Sequence, residues 1–156
     1  MSTLNTKLNL TKVDGLRWLM ILLAISGLGV SGYLMWGYTT PGATLACGGS
    51  SGCETVKDSA YARLLGIPMP VLGLVSYFTL LILLILHGRF LANEAVWAAY
   101  TALAIFGISL MGVLYSAYLT YLELFVIEAI CRWCVASAII MTAIFFLSTL
   151  NLYYEG

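Results

Sequence analysis

Long apolar runs alternate along this chain with short polar breaks. Four runs, residues 18–38, 68–86, 95–119 and 129–150, each reach the roughly 20 residues that a helix needs to cross an apolar layer about 30 Å thick. Each is predicted to be a transmembrane helix. The breaks are short except after the first run, which predicts antiparallel neighbours in an up-down bundle. The first run lacks a small-residue cleavage site and has Trp18 and Tyr38 as interfacial anchors, so it is expected to persist in the mature protein rather than act as a signal. The fold class expected is all-α: a polytopic four-transmembrane-helix bundle over residues 18–150, flanked by cytoplasmic tails at 1–17 and 151–156.

The polar stretches differ in pattern. Residues 1–17, with spaced Thr, Asn and Lys, read as a loosely ordered tail without chemistry. Residues 39–67 form the one long polar segment, opening with the turn signal Thr39-Thr40-Pro41-Gly42. Within it, residues 54–65 place Val56, Ala60 and Leu64 on one helical face, with Glu54, Lys57, Asp58 and Arg63 largely away from it. That pattern predicts a short amphipathic helix in the first external loop, lying along the interface as a lid. Gly66-Ile67-Pro68-Met69-Pro70 should end it, because proline cannot extend the hydrogen-bond ladder. In the first run Gly27 and Ser31 give the small-xxx-small spacing that lets membrane helices pack closely.

Composition supports a membrane protein: 62% of residues are hydrophobic and only 9% charged. Seven basic residues balance seven acidic ones and are scattered, which leaves no cationic footprint for nucleic acid. Lys7, Lys12, Arg17 and Arg89 fall on one side of the expected bundle and Lys57, Arg63 and Arg132 on the other. This bias is small, yet it favours cytoplasmic termini in a plasma or inner membrane. Parity then places the loops after the first and third runs on one face. Cys47, Cys53, Cys131 and Cys134 should therefore lie together on the extracytoplasmic side.

Those cysteines carry the candidate chemistry. Cys47 and Cys53 are separated by Gly48-Gly49-Ser50-Ser51-Gly52, a linker that can bend freely, so the thiols can join and part as a shuttle does; a static disulfide pinning an exposed loop is the plainer alternative. Cys131-Arg132-Trp133-Cys134 opens the fourth run. At positions i and i+3 of a helix, two Cβ atoms lie about 5–6 Å apart, whereas a relaxed disulfide wants about 3.5–4.5 Å, so a bond there forms only with local adjustment and is easily reduced. The positive end of the helix and Arg132 should stabilise a thiolate below the free value of about 8.5. Two inert buried cysteines, or a zinc site completed by Cys47 and Cys53, are the alternatives; an oxidising face disfavours zinc thiolates, and no metal is expected. His87, at the far end of the second run, is expected to be a surface cap. Tyr118 and Tyr121 are expected in the aromatic belt, and Tyr115, a turn deeper, either shares that role or lines a cavity.

A reducible dithiol at the membrane edge needs an electron acceptor. The sequence shows no haem, flavin or nicotinamide motif, and an apolar bundle under an amphipathic lid suits a lipid-soluble quinone. The loop Cys pair, the downstream Ser59, Leu65-Gly66-Ile67-Pro68 with Gly73 following, and the C-x-x-C opening the fourth run closely resemble the vitamin K epoxide reductase family, over about residues 18–150. The order of the pairs is the reverse of that in the DsbB family.

The resemblance implies a quinone-dependent thiol-disulfide oxidoreductase that generates disulfides for extracytoplasmic folding. Cys47 would receive electrons from a thioredoxin-like or DsbA-like partner, Cys53 would exchange with Cys131, and Cys134 would face a ubiquinone, menaquinone or vitamin K type quinone, with a transient thiol adduct as one route. Ser59 would help to position or shield the site. Vertebrate members carry an Asn near the start of the second span and a Tyr four residues past the last cysteine, where this chain has Met69 and Ala138. That difference and the five-residue spacing of the loop pair suit a bacterial or archaeal-type member, without a fused thioredoxin domain, better than a reductase of vitamin K epoxide. The alternative from a different class is a four-helix membrane protein whose cysteines are structural or bind metal.

Overall fold

The computed structural model describes residues 2–47 and 52–155. Gly48, Gly49, Ser50 and Ser51, on which the expected mobility of the loop pair rests, lie outside them. Four long helices dominate: α1 (Ser2–Thr39), α3 (Met69–Asn93), α4 (Ala95–Phe125) and α5 (Arg132–Glu155). All four are long and apolar enough to cross a membrane. α1 packs against α3 and α5, and α4 against the same two, so α1 and α4 stand diagonally in a square bundle.

The helices outrun the apolar runs that announce them. α1 begins at Ser2 rather than near residue 18, which corrects the expectation of a loosely ordered tail. No proline interrupts residues 2–39, Thr11 bonds back to the Leu8 carbonyl at 2.9 Å, and Asp14 pairs with Arg17 at 3.1 Å one turn on. At about 1.5 Å per residue, this 38-residue helix is roughly twice as long as the hydrocarbon layer is thick, so its amino-terminal part extends beyond it.

The bundle core is formed by Met20 and Ala24 of α1, Tyr77, Leu80 and Leu84 of α3, Ile105 of α4, and Met141 and Ile144 of α5. Outward-facing Leu22, Phe78, Leu103, Met111, Ile139 and Phe146 remain exposed, as the lipid-facing side of a membrane bundle requires. Lipid is as apolar as these side chains, so close packing and interhelical hydrogen bonds hold the helices together. Gly27 lies directly against the Tyr77 ring and Gly73 against Ser31, so the small-residue spacing of α1 lets α3 approach. The Tyr77 hydroxyl reaches both the Ser137 carbonyl and its Oγ at 2.9 Å, tying α3 to α5.

The segment between α1 and α3 departs from the expected single amphipathic helix. α2 (Gly52–Asp58) is followed by a 3₁₀ turn (Ala60–Ala62) and a two-stranded hairpin, β1 (Arg63–Leu64) and β2 (Ile67–Pro68), in antiparallel register with Leu64 opposite Ile67. Val56 is buried as expected, whereas Ala60 and Leu64 are exposed and Ala62 takes the inward position. Leu65 and Gly66 both adopt positive φ, 53° and 85°, as a two-residue hairpin turn requires. That turn lets the chain reverse and enter α3 through Pro68 and Pro70 within a few residues.

His87 is a second correction. It is fully buried at the end of the bundle away from the cysteines, with Nδ1 3.0 Å from Thr101 Oγ1 and Nε2 2.7 Å from Glu155 Oε1. The Thr101 hydroxyl also reaches the backbone carbonyls of its own helix at Trp97 and Ala98. His87 thereby joins α3, α4 and α5.

Candidate active site

All four cysteines converge at one end of the bundle. Cys47, Cys53 and Cys131 are buried in a single cluster with Leu34, Leu45 and Val56, and Cys134 packs against it. Cys47 and Cys53 are joined as a disulfide across a Cα separation of 6.1 Å, while Cys131 and Cys134 are free thiols.

Two features dock the loop pair on the helix pair, and a third braces the loop itself. Gly52, the first residue of α2, lies so close to the Ile130 carbonyl that a Cβ there would collide with it. Only glycine permits this approach, which sets Cys53 beside the turn carrying Cys131. The second feature is Trp133, the residue inside the C-x-x-C: its Nε1–H donates to the Ala46 carbonyl at 2.9 Å, and its ring lies 4.8 Å from that of Tyr33. The Tyr33 hydroxyl in turn accepts the Ala46 N–H at 2.9 Å, so both backbone polar groups of Ala46 are held. Third, Glu54 accepts the Leu45 N–H at 2.8 Å while paired with Lys57 at 2.7 Å. The Lys57 ammonium and the Leu45 N–H hold the Glu54 carboxyl below its ordinary value.

Cys131 occupies the position before the first residue of α5, and its Sγ accepts the Cys134 N–H at 3.4 Å, as a helix-capping side chain does. The Cys134 thiol and the N–H groups of Cys134 and Trp133 hold the Cys131 thiol below its ordinary value, outweighing its burial and the nearby Glu123 carboxyl. Arg132 contributes less than its place in the motif suggests, because its side chain is exposed.

Next to the thiols the four helices enclose a cavity of about 120 Å³. A cavity of about 150 Å³ accommodates a benzene ring in another protein, so a single six-membered ring is the right scale. Its wall includes Cys53, Cys131 and Cys134, together with Ser59, Met69, Tyr115 and Ala138. Ser59 ends α2 by donating its hydroxyl to the Val56 carbonyl at 2.7 Å. The Tyr115 hydroxyl is buried and has no hydrogen-bond partner among the described residues. Burying such a group unpaired costs about 1–3 kcal/mol, which a ligand acceptor in the cavity would recover. Tyr118 and Tyr121 are exposed, in keeping with an aromatic belt.

Two cavity residues were not singled out from the sequence. They are Tyr38, expected only as an interfacial anchor, and Glu123, to which the sequence assigns no role; both line the cavity. Glu123 Oε2 accepts the Cys131 N–H at 3.2 Å. No group of three or more metal-ligating side chains occurs among the described residues. The vitamin K epoxide reductase family model matches residues 18–149, most of the chain. This chain belongs to the vitamin K epoxide reductase family and is an integral membrane oxidoreductase.

Proposed function

We propose that the protein carries electrons from a thioredoxin-like or DsbA-like partner, through Cys47/Cys53 and then Cys131/Cys134, to a lipid quinone, and so generates disulfides for proteins outside the cytoplasm. The reading rests above all on one observation: both cysteine pairs share a buried cluster, and three of their sulfur-bearing residues line one apolar cavity. In this reading the termini are cytoplasmic and the cysteine cluster extracytoplasmic, following the charge bias of the loops.

The steps balance as thiol–disulfide exchange. A partner dithiol reduces the Cys47–Cys53 disulfide and is itself oxidised. The Cys53 thiolate then attacks Cys131 of an oxidised Cys131–Cys134 pair, releasing Cys134 as a thiolate. Cys47 resolves the Cys53–Cys131 bond, which restores the loop disulfide and leaves two thiols on the helix pair. The helix pair finally loses two electrons and two protons, for which a bound quinone supplies the oxidising chemistry. Tyr115 would donate a hydrogen bond to a quinone oxygen, Cys134 would face the ring, and Ser59, Met69 and Ala138 would complete the wall.

Cys47, the expected point of contact with the partner, is buried. Partner access therefore requires the segment around Leu45 and Ala46 to lift, with the loss of three hydrogen bonds. At about 0.5–1.5 kcal/mol each, this opening is modest enough to occur during turnover. Met69 and Ala138 bring no hydrogen-bonding side chain to the cavity, which favours quinone over epoxide as the acceptor.

The decisive assay supplies purified protein with a reduced thioredoxin-like partner and offers ubiquinone, menaquinone and vitamin K epoxide side by side. Quinone reduction is expected, and it should be abolished by Cys134→Ser. Stoichiometric zinc with four unreactive cysteines would instead establish the structural alternative.

A further inference from the structure

The last turn of α4 holds a carboxyl group that no step above employs. Glu123 is only 5% exposed. Its Oε2 accepts the Cys131 N–H, and its backbone carbonyl accepts the Ala129 N–H at 3.1 Å, so it closes the turn that presents the C-x-x-C. Glu123 and Cys134 line the same cavity wall, with Cys131 between them in the contact that Glu123 makes. None of the ion pairs among the described residues includes Glu123.

A buried carboxyl without a cationic partner is an expensive way to accept one backbone N–H, because an amide would do the same without the cost of burying an ionisable group. Its distinctive capacity is to take up and release a proton. Oxidising two thiols to a disulfide requires that capacity, because two protons leave with the two electrons. The other titratable side chains around the cavity are Cys131 before α5, Cys134 on α5, Tyr38 on α1, Tyr61 on the 3₁₀ turn, Tyr77 on α3 and Tyr115 on α4, with Cys53 of α2 held in the loop disulfide. They are thiols and phenols; among the described residues Glu123 is the one carboxyl in the cavity wall.

We propose that Glu123 accepts the proton of the Cys134 thiol as that sulfur becomes the nucleophile, and hands it to a quinone oxygen on reduction. This rests on the reading that the helix pair reduces a quinone. The thiols of Cys131 and Cys134 become one disulfide; their two electrons and two protons convert quinone to hydroquinone. One proton passes through Glu123, which ends in its starting state, and the other comes from the Cys131 thiol. In this role Glu123 is catalytic, acting on the Cys134 thiol across the cavity wall they share.

The test uses the full chain in lipid nanodiscs with Glu123→Gln, which keeps an acceptor for the Cys131 N–H but cannot carry a proton. The first readout needs no quinone. Alkylation of Cys134 by N-ethylmaleimide in the reduced protein, followed by mass spectrometry across pH, should be at least tenfold slower at neutral pH in the variant and lose the inflection seen in the parent. The second is turnover with a water-soluble ubiquinone analogue: kcat should fall about 10²–10³-fold, in line with the usual contribution of general acid–base catalysis, with KM within about twofold. Glu123→Asp, which keeps the carboxyl, should retain the alkylation inflection at a reduced rate. An unchanged alkylation profile with kcat within threefold of the parent would overturn the proposal, and so would loss of the inflection in a folded Asp variant. If the parent reduces no quinone while alkylation of Cys134 still depends on Glu123, the proton-accepting half stands and the quinone reading falls.

Discussion

Gly52→Ala is the most informative single perturbation of the relay. The added methyl would collide with the Ile130 carbonyl, a backbone atom that cannot rotate away, so α2 or the turn before α5 must shift. Overpacking of this kind costs about 1–3 kcal/mol, which corresponds to a loss of about 5- to 150-fold in the docked population. Were local propensity the only effect, alanine within a helix would instead stabilise by about 0.5–1 kcal/mol, so the two accounts predict opposite signs. The assay is direct exchange. In a background of Cys47→Ala and Cys134→Ala, mild oxidation should join Cys53 to Cys131, and the bonded fraction can be read by maleimide gel shift. Adding Gly52→Ala should slow that oxidation by one to two orders of magnitude. Gly29→Ala, where a Cβ meets nothing within 4 Å, is the matched control and should leave it unchanged. Equal oxidation rates for Gly52→Ala and the control would refute the claim that this close approach positions Cys53 against Cys131.

Three further outcomes follow from the same geometry. Trp133→Phe removes the hydrogen bond to the Ala46 carbonyl, worth about 0.5–1.5 kcal/mol net, and should raise the rate at which a small thioredoxin-like donor reduces the loop disulfide by about 2- to 10-fold; a slower rate would mean that the docked loop is the reactive form. The Cys131 thiol lies below its ordinary value, so its alkylation should persist to lower pH than that of free cysteine, near 8.5, and fade only as pH drops through the lowered value. Cys134→Ala removes the main cause and should move that midpoint up, whereas Cys134→Ser keeps a donor and should move it less; identical midpoints in all three proteins would contradict the assignment. His87→Leu removes the contacts to Thr101 and Glu155 and should destabilise the bundle by about 1–3 kcal/mol in detergent unfolding, with thiol exchange intact at the other end; unchanged unfolding would show that these buried contacts do not hold the helices.

The four membrane helices are legible in the sequence because hydrocarbon demands long apolar runs, and few other structures produce them. Their ends are not, because outside the bilayer local contacts such as Asp14 with Arg17 decide how far a helix continues. The expected lid helix failed beyond Ser59, where an apolar period of four competed with a reversal into α3 at Leu65-Gly66. His87 could have been found: Tyr77, Leu80, Leu84 and His87 recur at helical spacing, and all are buried. The role of Gly52 could not, because close approach to Ile130 depends on a contact between residues far apart in the chain, and a linker glycine looks the same whether it bends or packs. Glu123 lies eight residues before Cys131, and the turn of residues 126–130 that brings the Cys131 N–H back onto its carboxyl has no strong local signature.

In the proposed relay, electrons reach the quinone only by crossing from the loop pair to the helix pair. The measurement that tests it most directly is the thiol state of Cys131→Ala during incubation with a reduced thioredoxin-like donor and quinone, read by differential alkylation and mass spectrometry. Cys47 and Cys53 should accumulate as thiols while quinone reduction stops. Quinone reduction at the parent rate in that variant would contradict it.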